Sequence, residues 1–309
     1  MCRGSIMSSL SVLPLECLLQ PFPVPQRLML GPGPSNVPAR IAAAGAQPML
    51  GPPGGSALNL TKTIQTKLIK LIKPKLVPIL KCYLFFFGVN SVLSFRYNCL
   101  FLVDSVAALG GTPICIDEQG IDIMYTGSQK VLNEPPGTAP ISFSERACQK
   151  IFNRRTKPIS YFLDMSWLAN YWGCDDNFHH TGPVSSFYGL RESLAILAET
   201  GLENSRHKEV AEYFHKGLEE MGLKLFVQDK NARLPTVTTI VAPPGYDWRE
   251  ITGYIMKTYN TEISGGIGPS AGMVLRVGLM GCNSSKANVD KVLEALTDAL
   301  KHCHKSLTA

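Results

Sequence analysis

The sequence predicts an α/β fold with a large domain built on an open, mostly parallel sheet and a smaller α+β domain at the C-terminal end. Two observations support this prediction. Between residues 99 and 144, short apolar runs end in polar side chains, as in buried parallel strands that present functional groups at one edge of a sheet. After Gly201, helical and strand-like patterns alternate up to the C-terminus.

Composition and charge indicate an ordinary globular protein. The chain has 309 residues, 45% hydrophobic and 17% charged, enough for two domains with buried cores. Its formal net charge is +6, but no basic patch is interleaved with aromatic residues, so we expect no nucleic-acid partner. The most apolar stretch, residues 77–95, is interrupted by Pro78, Lys81, Gly88 and Asn90, so we expect no membrane span.

The nine cysteines are scattered along the chain and form neither a C-x-x-C pair nor a Cys/His ligand spacing. An odd number of scattered cysteines favours reduced thiols in an intracellular compartment over a disulfide framework. We therefore expect no metal site.

The first 50 residues are rich in proline and glycine, and residues 28–41 are their most ordered-looking piece. Pro32, Pro34 and Pro38 exclude a regular helix up to Val37. This composition predicts an extended arm that lies along a surface and does not build a core.

The remaining elements follow from hydrophobic periodicity. Strands of the large domain are predicted at 99–105, 112–117, 121–130 and 141–144. A long amphipathic helix is predicted over residues 185–199, with Gly201 as its stop. The small domain is predicted to contain helices over 205–221, 247–259 and 286–302 and strands over 223–227, 235–242 and 273–279.

Asp104 and Lys130 stand at the ends of two of the predicted parallel strands. A lysine amine can form a Schiff base with the aldehyde of pyridoxal phosphate, and a carboxylate can keep the pyridine nitrogen protonated so that the ring accepts electrons. Such a carboxylate is expected to be buried and charge-paired. Taken alone, an aspartate and a lysine at strand ends more often form a surface ion pair.

Longer motifs add a family resemblance. The segments LGPGPSN, LFLVDSVAALGG, DIMYTGSQK, PPGTAPISFS, HHTGPVSSFYGLRESL and GGIGPSAGMVLRVGLMG resemble the class V aminotransferases over about residues 13–51 and 96–309. The resemblance implies the type I fold of pyridoxal-phosphate-dependent transferases and the cofactor pyridoxal 5′-phosphate. It also implies transamination of alanine (or serine) with glyoxylate. The implied domains are an N-terminal extension (1–24), a large cofactor-binding domain (25–200) and a small C-terminal domain (201–309).

The resemblance also implies the roles of individual residues. Lys130 is the implied Schiff-base lysine and proton carrier, and Asp104 is the implied partner of the pyridine nitrogen. Gln129 is expected to contact the cofactor, and Thr181 to reach the phosphate of the neighbouring subunit's cofactor. Arg276 is the implied clamp for the substrate carboxylate, to which its rigid fork is suited. From the residues alone, Arg276 could also be an ordinary ion-pair arginine and Thr181 a turn hydroxyl.

Residues 52–95 have no counterpart in this resemblance, so the large domain is expected to be incomplete. The phosphate cradle and the residue that stacks on the pyridine ring are unassigned. The tyrosine that the family pattern places before His179 is Phe178 here. One alternative function is therefore a non-catalytic chain that only dimerises. Another is a different class V enzyme, such as an aminoethylphosphonate transaminase or a cysteine desulfurase that uses Cys282.

The resemblance further implies a homodimer that acts on a small amino acid and a 2-oxo acid. Family members of this type work in peroxisomes or mitochondria. We expect peroxisomal localisation, with the mitochondrial matrix as the alternative.

Overall fold

The structure is a computed structural model that describes residues 24–50, 60, 63–64, 94, 96–169, 179–201 and 206–303. Most of the predicted N-terminal extension, nearly all of the atypical segment 52–95, and Phe178 lie outside the described residues. The predicted domain boundaries therefore stay predictions.

The proline-rich segment is extended as predicted, but it does contribute to a core. It forms the short strand β1 (Leu28–Met29) and the helix α1 (Ala39–Gly45). Leu30 is fully buried among the hydrophobic residues of the C-terminal part. The prediction of a surface arm was wrong because the prolines that exclude a helix leave an extended backbone, and an extended backbone is free to pair with a distant strand.

The first sheet contains three of the four strands predicted for the large domain. The strands β2 (Leu102–Asp104) and β3 (Ile123–Tyr125) pair in parallel, with Asp104 opposite Tyr125. The strand β4 (Ile141–Phe143) pairs with β3 in the antiparallel direction. Within the described residues this sheet has three strands, and β2 has only one covered face, since Leu102 is 54% exposed.

The strand predicted over residues 112–117 is not formed. Thr112 makes a single bridge to Leu109, and the following residues form a turn in which Cys115 N donates to Gln119 Oε1 over 3.1 Å. Pro113 removes a donor, and Gly120, with φ of +63°, ends the turn. The apolar side chains that suggested a strand are buried instead by packing beneath β2 and β3.

Three helices complete the N-terminal part of the described chain. The helix α2 (Glu145–Phe152) begins at Ser144, whose Oγ accepts from Ala147 N over 3.1 Å. A short helix α3 (Met165–Ala169) follows. The predicted long helix is α4 (Val184–Thr200), which ends at Gly201 with φ of +80° and packs against α1.

The C-terminal part agrees closely with its prediction. The helices α5 (Arg206–Glu220), α6 (Trp248–Tyr259) and α7 (Lys286–His302) accompany an antiparallel sheet. The sheet has the order β5 (Val237–Val241), β8 (Val274–Gly278) and β7 (Ser264–Gly265). The remaining strand, β6 (Thr261–Glu262), pairs in parallel with β1. The predicted strand 223–227 is reduced to one bridge between Leu225 and Ile240, so that prediction was wrong.

The largest hydrophobic core lies between these three helices and the antiparallel sheet. Its fully buried members include Phe214, Leu218, Ile251, Leu275 and Leu296. This core fixes β8, and hence the position of Arg276. No helix within the described ranges is both long enough and apolar enough to cross a membrane.

Candidate active site

Lys130 lies in the turn that follows β3, close to the loop 31–36. The turn is closed by Asn133 N, which donates to the Lys130 carbonyl over 3.1 Å. The lysine side chain reaches the loop, where Nζ donates to the Pro32 carbonyl over 2.6 Å. The turn after β3 thus positions the Lys130 amine at the Pro32 carbonyl.

Gly33 provides the space that the Lys130 side chain occupies. Its φ is +99°, a conformation that residues with a side chain rarely adopt. A Cβ at this position would overlap Cδ, Cε and Nζ of Lys130. The backbone of this glycine-rich loop therefore forms one wall of a cradle around the amine.

Asp104 is held at the end of β2 by two hydrogen bonds. Oδ1 accepts from Val106 N over 2.9 Å, and Oδ2 accepts from the Tyr125 hydroxyl over 2.8 Å. The Asp104 residue is exposed, so the expectation of a buried, charge-paired acid was wrong for the described residues. The reason is that these residues leave one face of β2 uncovered.

Tyr125 is a site residue that the sequence interpretation missed. It lies opposite Asp104 in the parallel β2–β3 pair, and its bond to the carboxylate raises the pKa of the tyrosine hydroxyl. The signal for it was available in principle, because side chains opposite each other in adjacent strands lie on the same face of a sheet.

Burial and two charged groups act on the pKa of Lys130. Partial burial lowers the pKa of its amine, the positive charge of Arg276 lowers it further, and the negative charge of Asp104 opposes both. The hydrogen bonds place Lys130 and the strand of Arg276 against the same loop, because Lys130 Nζ donates to the Pro32 carbonyl and Gly278 N, at the end of β8, donates to the Leu30 carbonyl.

Arg276 has the features of an arginine that is available to a ligand. It lies on β8, and Nε donates to the Gly265 carbonyl over 2.7 Å, which fixes the guanidinium plane. Among the described residues it has no carboxylate within salt-bridge distance, and burial lowers its pKa. The alternative of an ordinary ion-pair arginine therefore finds no support in the described part of the chain.

The two remaining predicted residues are placed differently. Gln129 adjoins Lys130, and its backbone carbonyl accepts from Ser35 N over 2.9 Å. Thr181 is exposed just before α4 and makes no hydrogen bond to the other four predicted residues. The structure therefore places Lys130 and the strand of Arg276 against one loop and Gln129 beside the lysine, while Thr181 is exposed before α4.

Cys282 does not have the properties of an activated thiol. Although the residue as a whole is exposed, partial burial of the thiol raises its pKa, and Sγ contacts the Asn36 carbonyl at 3.6 Å. A cysteine nucleophile requires the thiolate, which a lowered pKa supplies. This finding disfavours the cysteine desulfurase alternative.

Comparison with known proteins identifies the family. The sequence model described as aminotransferase class-V matches residues 89–292, which is more than half of the chain. This chain belongs to the class-V aminotransferases, as the motifs predicted.

Individual relatives agree with the family and with the fold. An alanine–glyoxylate aminotransferase of Felis catus is 42% identical over 98% of this chain and 95% of its own length. The solved alanine–glyoxylate aminotransferase from Nostoc sp. superposes with a TM-score of 0.83 at 30% identity, covering 93% of this chain and 98% of that one. Ureidoglycine–glyoxylate aminotransferase from Bacillus subtilis, at 24% identity, has a TM-score of 0.78 and covers 91% and 95%. The predicted fold class, the type I fold of these transferases, is confirmed.

The comparison also supports a missing segment. The alignment with the Felis catus relative is 392 residues long, whereas this chain has 309, so at least 83 aligned positions have no counterpart here. The family match begins at residue 89, so most of the segment 52–95 lies outside it, together with residues 1–51. The missing aligned positions agree with the prediction that the large domain is incomplete.

Proposed function

We propose that this chain is a pyridoxal-phosphate-dependent aminotransferase that transfers the amino group of alanine, or of serine, to glyoxylate. The products are pyruvate, or hydroxypyruvate, and glycine. The observation that carries the proposal is the Lys130 amine beside Gly33, held against the loop that also contacts the end of the strand of Arg276. The names of the Felis catus and Nostoc relatives support the choice of substrates.

The described residues fit the reactive end of pyridoxal phosphate. The absence of a Cβ at Gly33 lets the Lys130 side chain reach this loop, where its amine would bond to the aldehyde, and Asp104 supplies the carboxylate that a pyridinium nitrogen requires. The cofactor, when bound, supplies that aldehyde and an aromatic ring that withdraws electrons from the substrate's α-carbon.

The protein's own groups then have defined tasks. The fork of Arg276 binds the substrate carboxylate and thereby orients the α-carbon. The lowered pKa of Lys130 keeps more of the amine unprotonated at neutral pH, so that Nζ can accept the α-proton. The Tyr125 hydroxyl donates to Asp104 Oδ2 and thereby orients the carboxylate. Gln129 is positioned to contact the cofactor beside the lysine.

A side chain added at Gly33 tests whether the space that this glycine leaves for Lys130 is needed. We expect Gly33→Ala to weaken cofactor binding by at least about tenfold, because the added Cβ displaces the lysine side chain. The matched control is Gly222→Ala, since Gly222 has φ of +74° but open space around it. Titration with pyridoxal phosphate, followed by the visible absorbance of the bound cofactor, measures both. Equal affinities in the two variants would contradict the cradle.

The quaternary structure belongs to the same proposal. We infer a homodimer in which Thr181 of each chain contacts the partner's cofactor phosphate, which agrees with the exposure of Thr181. The proposed location is the peroxisome, with the mitochondrial matrix as the alternative, and fluorescence microscopy of the tagged chain tests it.

The proposed reaction is tested by donor specificity. The purified chain, supplied with pyridoxal phosphate, should form glycine from glyoxylate with alanine or serine as the donor. We expect kcat/KM for alanine to exceed that for aminoethylphosphonate and cysteine by at least about tenfold. A preference for either of these alternative donors would overturn the assignment within the family.

A second candidate function rests on the missing positions. A chain that lacks at least 83 aligned positions of its relative, and in which the phosphate cradle is unassigned, could instead only associate with a complete subunit. This candidate predicts no cofactor absorbance at any pyridoxal phosphate concentration, with dimerisation retained. The cofactor titration therefore separates it from the catalytic proposal.

A further inference from the structure

Asn133 stands where three chain segments meet beside the active-site lysine. It belongs to the turn after Lys130, while the other two segments are the loop 31–36 and the 3₁₀ turn Gly281–Asn283. We propose that Asn133 is a positioning residue that holds the Lys130 turn in a fixed relation to the strand that carries Arg276. This inference deepens the proposed function and rests on it.

Both ends of the Asn133 side-chain amide are bonded. Nδ2 donates to Ser35 Oγ over 2.8 Å, and Oδ1 accepts from Cys282 N over 2.7 Å. Ser35 Oγ in turn donates to the Lys130 carbonyl over 2.6 Å. Asn133 is only 5% exposed, so the loss of one bond would leave a buried polar partner unsatisfied.

The two residues that meet at this hydrogen bond, Asn133 and Gly281, both have a positive φ, which few residue types adopt readily. Asn133 has φ of +55°, a region that asparagine enters more readily than most residues. Gly281 has φ of +54°, and a Cβ there would overlap Asn133 Oδ1. Gly281 N donates to Nε2 of His207, and burial lowers the pKa of this histidine to about 4, so the neutral ring is the acceptor at neutral pH.

The same loop connects the junction to Arg276. Gly278, the last residue of β8, donates its N–H to the Leu30 carbonyl over 2.7 Å. Pro32, two residues further on, accepts from Lys130 Nζ. Asn133 therefore bonds both to the loop that contacts the lysine and to the segment that directly follows the strand of Arg276.

The alignment of these two groups matters for the chemistry of the site. A substrate whose carboxylate is bound by Arg276 must present its α-proton to Lys130 Nζ. A displacement of about 1 Å in such an alignment lowers a rate constant by about 10²-fold. Loss of the junction should therefore slow proton transfer while carboxylate binding is retained.

Two variants and a control test the inference. Asn133→Gly keeps the positive φ and removes the amide, whereas Asn133→Asp keeps an acceptor for Cys282 N and loses the donor to Ser35. The control is Asn98→Gly, because Asn98 also has a positive φ, of +50°, and is exposed.

The first measurement uses the chain without cofactor. Mass spectrometry follows the modification of Lys130 by an amine-reactive reagent as a function of pH. Arg276 and Asp104 are the charged groups whose influence on the amine is resolved, and burial lowers its pKa most. We expect Asn133→Gly to hydrate the amine and raise its apparent pKa by about 1, with no change in Asn98→Gly.

The second measurement uses cofactor-loaded protein. The single-turnover rate constant with saturating alanine does not depend on the fraction of active protein. We expect it to fall about 10²-fold in Asn133→Gly and less in Asn133→Asp, with KM for alanine changed by no more than about twofold. If the variants lose only thermal stability while both measurements match the wild type, the proposal is overturned. If the wild type binds no cofactor, the proposed function fails, but the Lys130 modification profile still decides the role of Asn133.

Discussion

Replacing Lys130 with alanine is expected to abolish transamination, lowering kcat by at least about 10⁴-fold, because one amine both binds the cofactor and moves the α-proton. Lys130 is the lysine whose side chain occupies the space beside Gly33, with its amine at the Pro32 carbonyl. Steady-state formation of glycine from alanine and glyoxylate measures the loss. The absorbance of the bound cofactor should be lost in the same variant.

The control for this prediction is Lys150→Ala. Lys150 Nζ also donates to a backbone carbonyl, that of Asn98 over 2.8 Å, but it lies on α2 away from the site. Its variant should keep the wild-type absorbance and turnover. Borohydride treatment of the wild type should then fix the cofactor to the peptide that contains Lys130. Attachment to another lysine would show that the assignment is wrong.

The Arg276→Lys substitution is expected to lower kcat/KM for alanine by about 10²-fold, mainly through a higher KM. An ammonium group keeps the charge but cannot make the two parallel bonds that a guanidinium makes to a carboxylate. Each charge-assisted bond is worth about 1.5–3 kcal/mol, which corresponds to the expected loss when one is removed. Burial already lowers the pKa of Arg276, and the same burial should partly discharge a lysine there.

A donor without a carboxylate isolates this effect. The slow reaction of a simple alkylamine with the cofactor-loaded chain should be the same in the wild type and in Arg276→Lys, because Arg276 then has nothing to bind. Arg233→Lys is the matched control, since Arg233 Nε also donates to a backbone carbonyl, that of Val227 over 2.8 Å. An equal loss for alanine and for the alkylamine would mean that Arg276 supports the fold and does not bind the carboxylate.

Elements that depend on neighbouring residues in the sequence were predicted well, and elements that depend on distant partners were not. The helices α5, α6 and α7 were predicted nearly to their ends, because periodicity and capping residues such as Asp247 and Ser285 act within one or two turns. The strand 112–117 failed because an apolar run does not reveal whether a partner strand is available. Leu30 was misjudged for the same reason, since its hydrogen-bond partners are Glu262 and Gly278.

The candidate site divides in a similar way. Asp104 and Lys130 could be proposed because each follows a recognisable apolar strand, and the surrounding motifs favoured a cofactor site over a surface ion pair. The role of Arg276 came only from the family motif, since no spacing rule connects β8 to β3. Tyr125 and Asn133 were missed because their importance lies in hydrogen bonds between segments, and a single sequence does not show which side chains will meet.

Because β1 pairs with β6, this pair can form only late in translation. Leu28 is translated long before Thr261, with which it pairs. At translation rates of about 5–20 residues per second, this interval is roughly ten to fifty seconds. Throughout that time Leu30 lacks its backbone hydrogen-bond partners, Glu262 and Gly278. The loop that cradles Lys130 therefore takes its final shape only when the ribosome has almost finished the C-terminal domain.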